Sequence, residues 1–182
     1  MIYGERIRLR AAERSDIPLF LEWFNDPEVL HGLSLYLPMS QAQEEKWFEK
    51  MLERPQDEQP MTIETRDGDE WVAIGNLGLV SIDNKARSSE VGIAIGNKAY
   101  WNKGYGTEAM TLLLKHSFET LNLHRVMLRV FSNNPRAIRC YEKCGYQHEG
   151  ALRKAHYQEG IYHDVLLMGI LREEWDQLTN KD

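Results

Sequence analysis

Tyr100-Trp101-Asn102-Lys103-Gly104-Tyr105-Gly106-Thr107-Glu108-Ala109 lies between an extended stretch, Glu90 to Gly96, and a helical pattern that starts at Tyr105. Gly104 and Gly106, one residue apart at the mouth of a helix, leave backbone N–H groups unobstructed. Those donors add to the positive end of the helix dipole, a combination suited to a phosphate or pyrophosphate. Glycines also make plain tight turns, so the rest of the chain has to decide between the two.

At 182 residues the chain is long enough to bury a sizeable core and fits one domain, residues 1–182. A hydrophobic fraction of 42% and a charged fraction of 27% are ordinary for a soluble globular protein. The net charge of −6 argues against broad nucleic-acid binding and against an RNA- or ribosome-associated factor, and is compatible with a cationic substrate. The first residues hold no apolar run of signal-peptide length, and no stretch is long enough to span a membrane. Cys140 and Cys144, four apart in a helical pattern, form neither a disulfide framework nor a zinc spacing. No metal is expected, and the expected compartment is cytoplasmic.

Outward from the glycine turn, the pattern reads as a mixed α/β chain. Ile7 to Arg10 alternates as a strand, and Ser15 or Asp16 caps a helix through Phe24 that stops near Pro27. A loop from Val29 to Met39 precedes a second helix, begun by Ser40 with Gln43 at capping-box spacing and finished before Pro55. Met61 to Thr65 and Trp71 to Ile82 form strands around Asp67-Gly68, with Gly75 and Gly78 marking a bulge or close backbone approach. Ser89 to Gly96 is the next strand. The helix from Tyr105 to about Leu121 buries Met110, Leu113, Leu114, Phe118 and Leu121. Arg125 to Phe131 is a strand. Asn134-Pro135 opens a helix that Gly145 ends, and a hairpin around Gln158-Glu159-Gly160 leads to a last helix near Arg172. The strand–helix–strand unit across 90–131 reads as a parallel crossover and the hairpins as antiparallel. Such a parallel pair can splay at the helix N-terminus and leave a cleft there.

In this order the motifs resemble those of the GNAT acetyltransferases, and more closely the RimJ/RimL-like branch. Four stretches carry the resemblance: Glu90 to Ile95, Trp101 to Ala109, Leu121-Asn122-Leu123-His124-Arg125-Val126, and Asn134 to Tyr146. It covers nearly the whole chain, from Ile7 to Leu171. The family's loop has the form [Gln/Arg]-x-x-Gly-x-[Gly/Ala]. Here Gly104 and Gly106 stand in place but Trp101 occupies the first position, so no role of a Gln or Arg side chain there carries over. The resemblance implies a mostly antiparallel sheet of about seven strands, flanked by helices, whose splayed parallel pair forms an acyl-CoA cleft. It also implies acetyl-CoA as co-substrate. The backbone of Ile93, Ala94 and Ile95 would pair with the pantetheine arm, and the amides of Asn102, Lys103, Gly104, Tyr105, Gly106 and Thr107 would hold the pyrophosphate. Asn134 would orient the pantetheine and Tyr141 would sit near the sulfur. Neither the P-loop pattern nor the dinucleotide fingerprint is present, since Ala109 stands at the third glycine position of the latter.

Acyl transfer from a thioester needs a neutral amine, aligned reactants and a neutralised thiolate; alignment alone supplies about 7–11 kcal/mol. Tyr141 is the candidate acid, although Ala137, Ile138 and Cys144 share its helical face and its ring can simply pack. Asn134 is fully explained as an N-cap, with a cofactor role additional to that. Glu90 is the first choice of base, acting through water, and His124 the alternative; either can be purely structural. Trp23, Phe24, Trp47 and Phe48 line an acceptor pocket or belong to the core. An α-amine with a pKa near 8 costs only about 1 kcal/mol to deprotonate at pH 7, against about 4–5 for a lysine-like amine. With no obvious strong base, a protein N-terminal α-amine is ranked first as acceptor. A polyamine, amino sugar or aminoglycoside comes next, and a catalytically silent acyl-CoA-binding module is the contrasting class. Monomer and homodimer are both compatible with the sequence.

Overall fold

Alternating apolar and basic side chains place Ile7 and Leu9 at zero exposure on one face of a strand, with Arg8 and Arg10 on the other. In the computed structural model, which describes residues 1–180, that strand is β2 (Ile7–Ala11), preceded by the two-residue β1 (Ile2–Tyr3). A 3-10 turn (Arg14–Asp16) leads into α1 (Ile17–Phe24), then α2 (Pro27–Leu30) and α3 (Gln41–Leu52). β3 (Met61–Asp67), β4 (Glu70–Asp83) and β5 (Ser88–Ala94) follow, then α4 (Tyr105–Lys115), β6 (Arg125–Phe131) and α5 (Pro135–Lys143). The chain ends in β7 (Gln147–Gln158), β8 (Ile161–Leu171) and α6 (Arg172–Thr179).

The strands form one open mixed sheet in the order β1-β2-β3-β4-β5-β6-β8-β7. It has eight strands, not seven, because Ile2 and Tyr3 pair with Leu9 and Arg8; a two-residue strand is too short for periodicity to reveal. β5 and β6 are the parallel pair, registered only at Ser88↔Arg125, Ser89↔Val126 and Glu90↔Met127. Val91 to Ala94 continue β5 beyond that register.

Two compact units are delineated, one of Met1–Leu79 with Gly92–Ala109 and one of Val80–Val91 with the chain from Met110 onward. In the first, Phe20, Trp23, Phe48 and Met51 form a core with Ala12, Ile17, Val29 and Ala73. An ionic network sits on β2 and β3 of this unit. Arg10 grips Asp16 with two bonds of 2.7 Å and reaches Glu64 at 2.8 Å, while Arg8 holds the other Glu64 oxygen at 2.6 Å. Burial by itself would raise the pKa of Asp16, but Arg10, the Glu13 N–H and the Thr62 hydroxyl outweigh it and hold the carboxyl below its usual range. Asp16 therefore precedes α1 without capping it; its oxygens are committed to this network.

Two helices depart from the pattern. Pro27 opens the short α2, capped by Asp26 on the Glu28 N–H, and this helix takes up Val29 and Leu30, the first two residues of the expected loop. The helix expected to run to Leu121 is α-helical only to Lys115 and continues as a π-helical turn, His116–Thr120, in which Phe118 is fully buried against Trp175 at 6.0 Å. Ser40 with Gln43 forms the expected capping box, and Asn134 caps α5.

Candidate active site

Position 75 of β4 shows why glycine is required beside the last residues of β5. A Cβ there would lie 2.2 Å from the Ala94 carbonyl oxygen and 2.9 Å from the Ile95 Cα, both backbone atoms. The register between β3 and β4 slips beside this point, between Ile63 and Glu64, and the Ile74 carbonyl turns to accept the Asn97 N–H at 3.1 Å. Gly75 thus fixes where Ile93, Ala94 and Ile95 run.

The next anchor is Trp101. Its indole Nε1 donates to the Ile95 carbonyl at 2.6 Å, and its ring packs against the aromatic core of the first unit. That accounts for tryptophan where the family loop has Gln or Arg: the side chain ties the end of the strand to the start of the loop. Between the two, Asn97 caps a 3-10 turn (Lys98–Tyr100) through its side chain on the Ala99 N–H.

Asn102 and Gly104 then take positive φ, 59° and 84°, and Gly104 O accepts the Glu108 N–H at 3.0 Å as the first bond of α4. Asn102, Lys103 and Gly104 are exposed, and Tyr105, Gly106 and Thr107 form the first helical turn, in which the Tyr105 and Gly106 N–H groups have no intrahelical acceptor. Residues with positive φ, bare Cα atoms and orphan amides at a helix N-terminus fit a pyrophosphate.

A residue absent from the sequence reading braces this turn. Arg6 donates from Nε to Glu108 at 2.8 Å and from Nη1 to the Lys103 carbonyl at 3.0 Å, and its guanidinium lies 4.7 Å from the Tyr105 ring centroid. The Arg6 and Ile7 N–H groups also donate to Glu108. No local signal could have paired residues 102 apart in sequence.

The second unit holds Tyr141, Asn134, Glu90 and His124, whereas the four aromatic candidates lie in the first. Tyr141 lies on α5 at 8% exposure, its ring 6.0 Å from Tyr146 at an interplanar angle of 61°. Burial raises its phenol pKa well above the ordinary value, with Cys140 and Cys144 adding to the effect, so it stays protonated across the neutral range. Asn134 uses Oδ1 to cap the Ala137 N–H at 3.1 Å, which leaves its amide nitrogen outside the cap. Glu90, on β5, lies 3.4 Å from Arg129 Nε in a partly exposed ion pair. His124 takes part through its backbone, donating to Arg87 O at 2.6 Å and accepting from the Arg172 N–H. Trp23 and Phe48 are core residues, 5% and 4% exposed, and the Trp23 ring lies so close to Gly96 that a Cβ there would come within 2.1 Å of it. Phe24 and Trp47 are partly buried on the same cluster. Among the described residues no group of three or more metal-ligating side chains occurs, and no helix is long and apolar enough to cross a membrane.

The two buried phenols make one prediction about stability. Tyr146 is 4% exposed, its hydroxyl has no partner among the described residues, and burial pushes its pKa up as it does for Tyr141. In the unfolded chain both titrate near 10. Above that pH the unfolded state releases protons that the folded state retains, so stability present below pH 10 is lost as pH rises. The loss is about 1.4 kcal/mol per pH unit for each phenol, until the folded values are reached. Urea melts at pH 9, 10 and 11 should show the fall. Tyr146→Phe should remove about half the slope and, having no hydrogen bond to lose, leave stability at pH 7 unchanged or higher; an unchanged slope refutes this assignment.

Residues 6–147 match the family model described as the acetyltransferase (GNAT) domain. The prophage-derived uncharacterized N-acetyltransferase YokL of Bacillus subtilis is 31% identical over 174 residues, 95% of this chain and 94% of that relative. The spermidine N(1)-acetyltransferase of Escherichia coli is 27% identical, covering 93% of this chain and 88% of that one. Among solved structures, the spermidine N-acetyltransferase of Vibrio cholerae in complex with CoA and spermine superposes with a TM-score of 0.85 at 28% identity, over 94% of this chain and 99% of that chain.

Proposed function

Because the chain belongs to the GNAT acetyltransferase family, and is thus an acyl-CoA-dependent acetyltransferase, we propose that its acceptor is a small aliphatic amine of the polyamine type. The observation that carries the choice is the near full-length likeness to spermidine N-acetyltransferases. It reverses the order reached from sequence, where a protein N-terminal amine stood first.

Acetyl-CoA supplies an already activated acetyl group, and the chain's residues hold, align and protonate. The Ile93–Ile95 backbone would pair with the pantetheine, and the amides of Asn102 to Thr107 would bind the pyrophosphate. The Asn134 amide nitrogen would orient the pantetheine. Tyr141, neutral and buried, would donate its phenolic hydrogen to the departing thiolate. Glu90 would take the ammonium proton through water, using the oxygen that Arg129 does not hold. The net charge of −6 suits a polycationic acceptor.

The Glu90–Arg129 ion pair favours keeping a protein N-terminal amine as a second reading, since a weakly basic α-amine makes little demand on such a base. Free-thiol release from acetyl-CoA, measured against spermidine, spermine, an amino sugar, an aminoglycoside and peptides with free N-termini, separates the readings. The highest kcat/KM should fall on a polyamine. A peptide in first place favours the second reading, and no acetyl-CoA binding by calorimetry refutes both.

A further inference from the structure

Arg6 is only half used by the protein. Nε is spent on Glu108 and one hydrogen of Nη1 on the Lys103 carbonyl. Among the described residues Nη2 donates to no acceptor, and it lies 3.3 Å from where a Cβ on Gly104 would stand. The side chain is 48% exposed, so solvent and solutes reach it. Its guanidinium closes a ladder of Lys103, Tyr100, Tyr105 and Arg6, with cation-to-ring and ring-to-ring distances of 5.8, 5.5 and 4.7 Å. Glu108 holds Nε and the Tyr105 ring supports the guanidinium plane, so the group is fixed before any ligand arrives.

A fixed guanidinium with unspent N–H donors, next to an exposed turn of positive-φ residues and orphan amides, is an anion ligand. We propose that Arg6 is a direct ligand of the acyl-CoA pyrophosphate, adding side-chain charge to a turn otherwise built of backbone amides. This rests on the acyl-CoA reading of the same turn. It also gives Gly104 a second requirement besides its φ of 84°, because a Cβ would crowd the guanidinium.

The test compares two acetyl donors, acetyl-CoA and S-acetyl-pantetheine, the latter lacking pyrophosphate and nucleotide. Arg6→Gln should raise KM for acetyl-CoA about ten- to hundred-fold, the size of a lost charge-assisted hydrogen bond. Its KM for S-acetyl-pantetheine and its kcat should stay within about two-fold of wild type. Arg6→Lys should recover part of the loss, and Arg6→Gln should flatten the dependence of the acetyl-CoA dissociation constant on ionic strength. Glu108→Gln, which removes the brace and keeps the charge, should cost clearly less than Arg6→Gln. The proposal is overturned if Arg6→Gln weakens both donors equally, if it leaves the salt dependence unchanged, or if Glu108→Gln matches it. Wild-type protein that binds no acetyl-CoA would instead sink the acyl-CoA reading itself.

Discussion

Tyr141→Phe is expected to lower kcat by about 10²- to 10³-fold while leaving the affinity for acetyl-CoA nearly unchanged. The substitution deletes one oxygen and keeps the ring that stacks edge-on with Tyr146. Burial holds the phenol protonated, so it is available as a donor throughout the pH range in which the reaction is run. The same burial makes it a reluctant acid. Its proposed contribution is therefore to meet charge developing on sulfur with a placed O–H, and this sets the expected loss at the lower end of what general acids supply. The ratio of wild-type to variant kcat should be flat from pH 6 to 9. Equal rates across that range would end the assignment of Tyr141 as proton donor.

Gly75→Ala should destabilise the protein by about 3 kcal/mol or more, at the upper end of overpacking penalties, because the new methyl collides with backbone and no rotamer change relieves it. The displaced atoms are the Ala94 carbonyl and the Ile95 Cα, in the stretch proposed to pair with pantetheine, so acetyl-CoA affinity should fall with stability. Gly92→Ala is the control: a Cβ there meets nothing within 4 Å. Urea denaturation and calorimetric titration of the two variants check this. If Gly75→Ala is as mild as Gly92→Ala, the close approach of β4 to β5 is not what fixes that strand.

What could be read from sequence was what neighbouring residues decide together. The Ser40 and Asn134 caps, the close backbone approach at Gly75, the parallel crossover and the Gly104 turn all have local signatures, and the structure holds each of them. Pairings across sequence were not readable. Asp16 looks like a helix cap until Arg10 and Thr62 claim it. Glu90 looks like an uncommitted carboxylate until Arg129 is found beside it. Trp23 and Phe48 suit a pocket or the core by spacing, the core being the commoner outcome, and their burial places them in the core. Trp101 departed from the family pattern because its partner, the Ile95 carbonyl, is a backbone atom and leaves no trace in residue identities.

The ties along the turn have a further consequence. Asn97 is held by Ile74, Trp101 by Ile95, Lys103 by Arg6, and Gly104 by Glu108. Freezing a loose loop on association would forfeit about 1–2 kcal/mol of conformational entropy for every residue immobilised. Here that ordering happens when the chain folds. The free energy of each proposed amide–phosphate contact would then appear almost whole as affinity, and the backbone order parameters of the turn should change little when donor binds, while its phosphate-facing amides gain exchange protection.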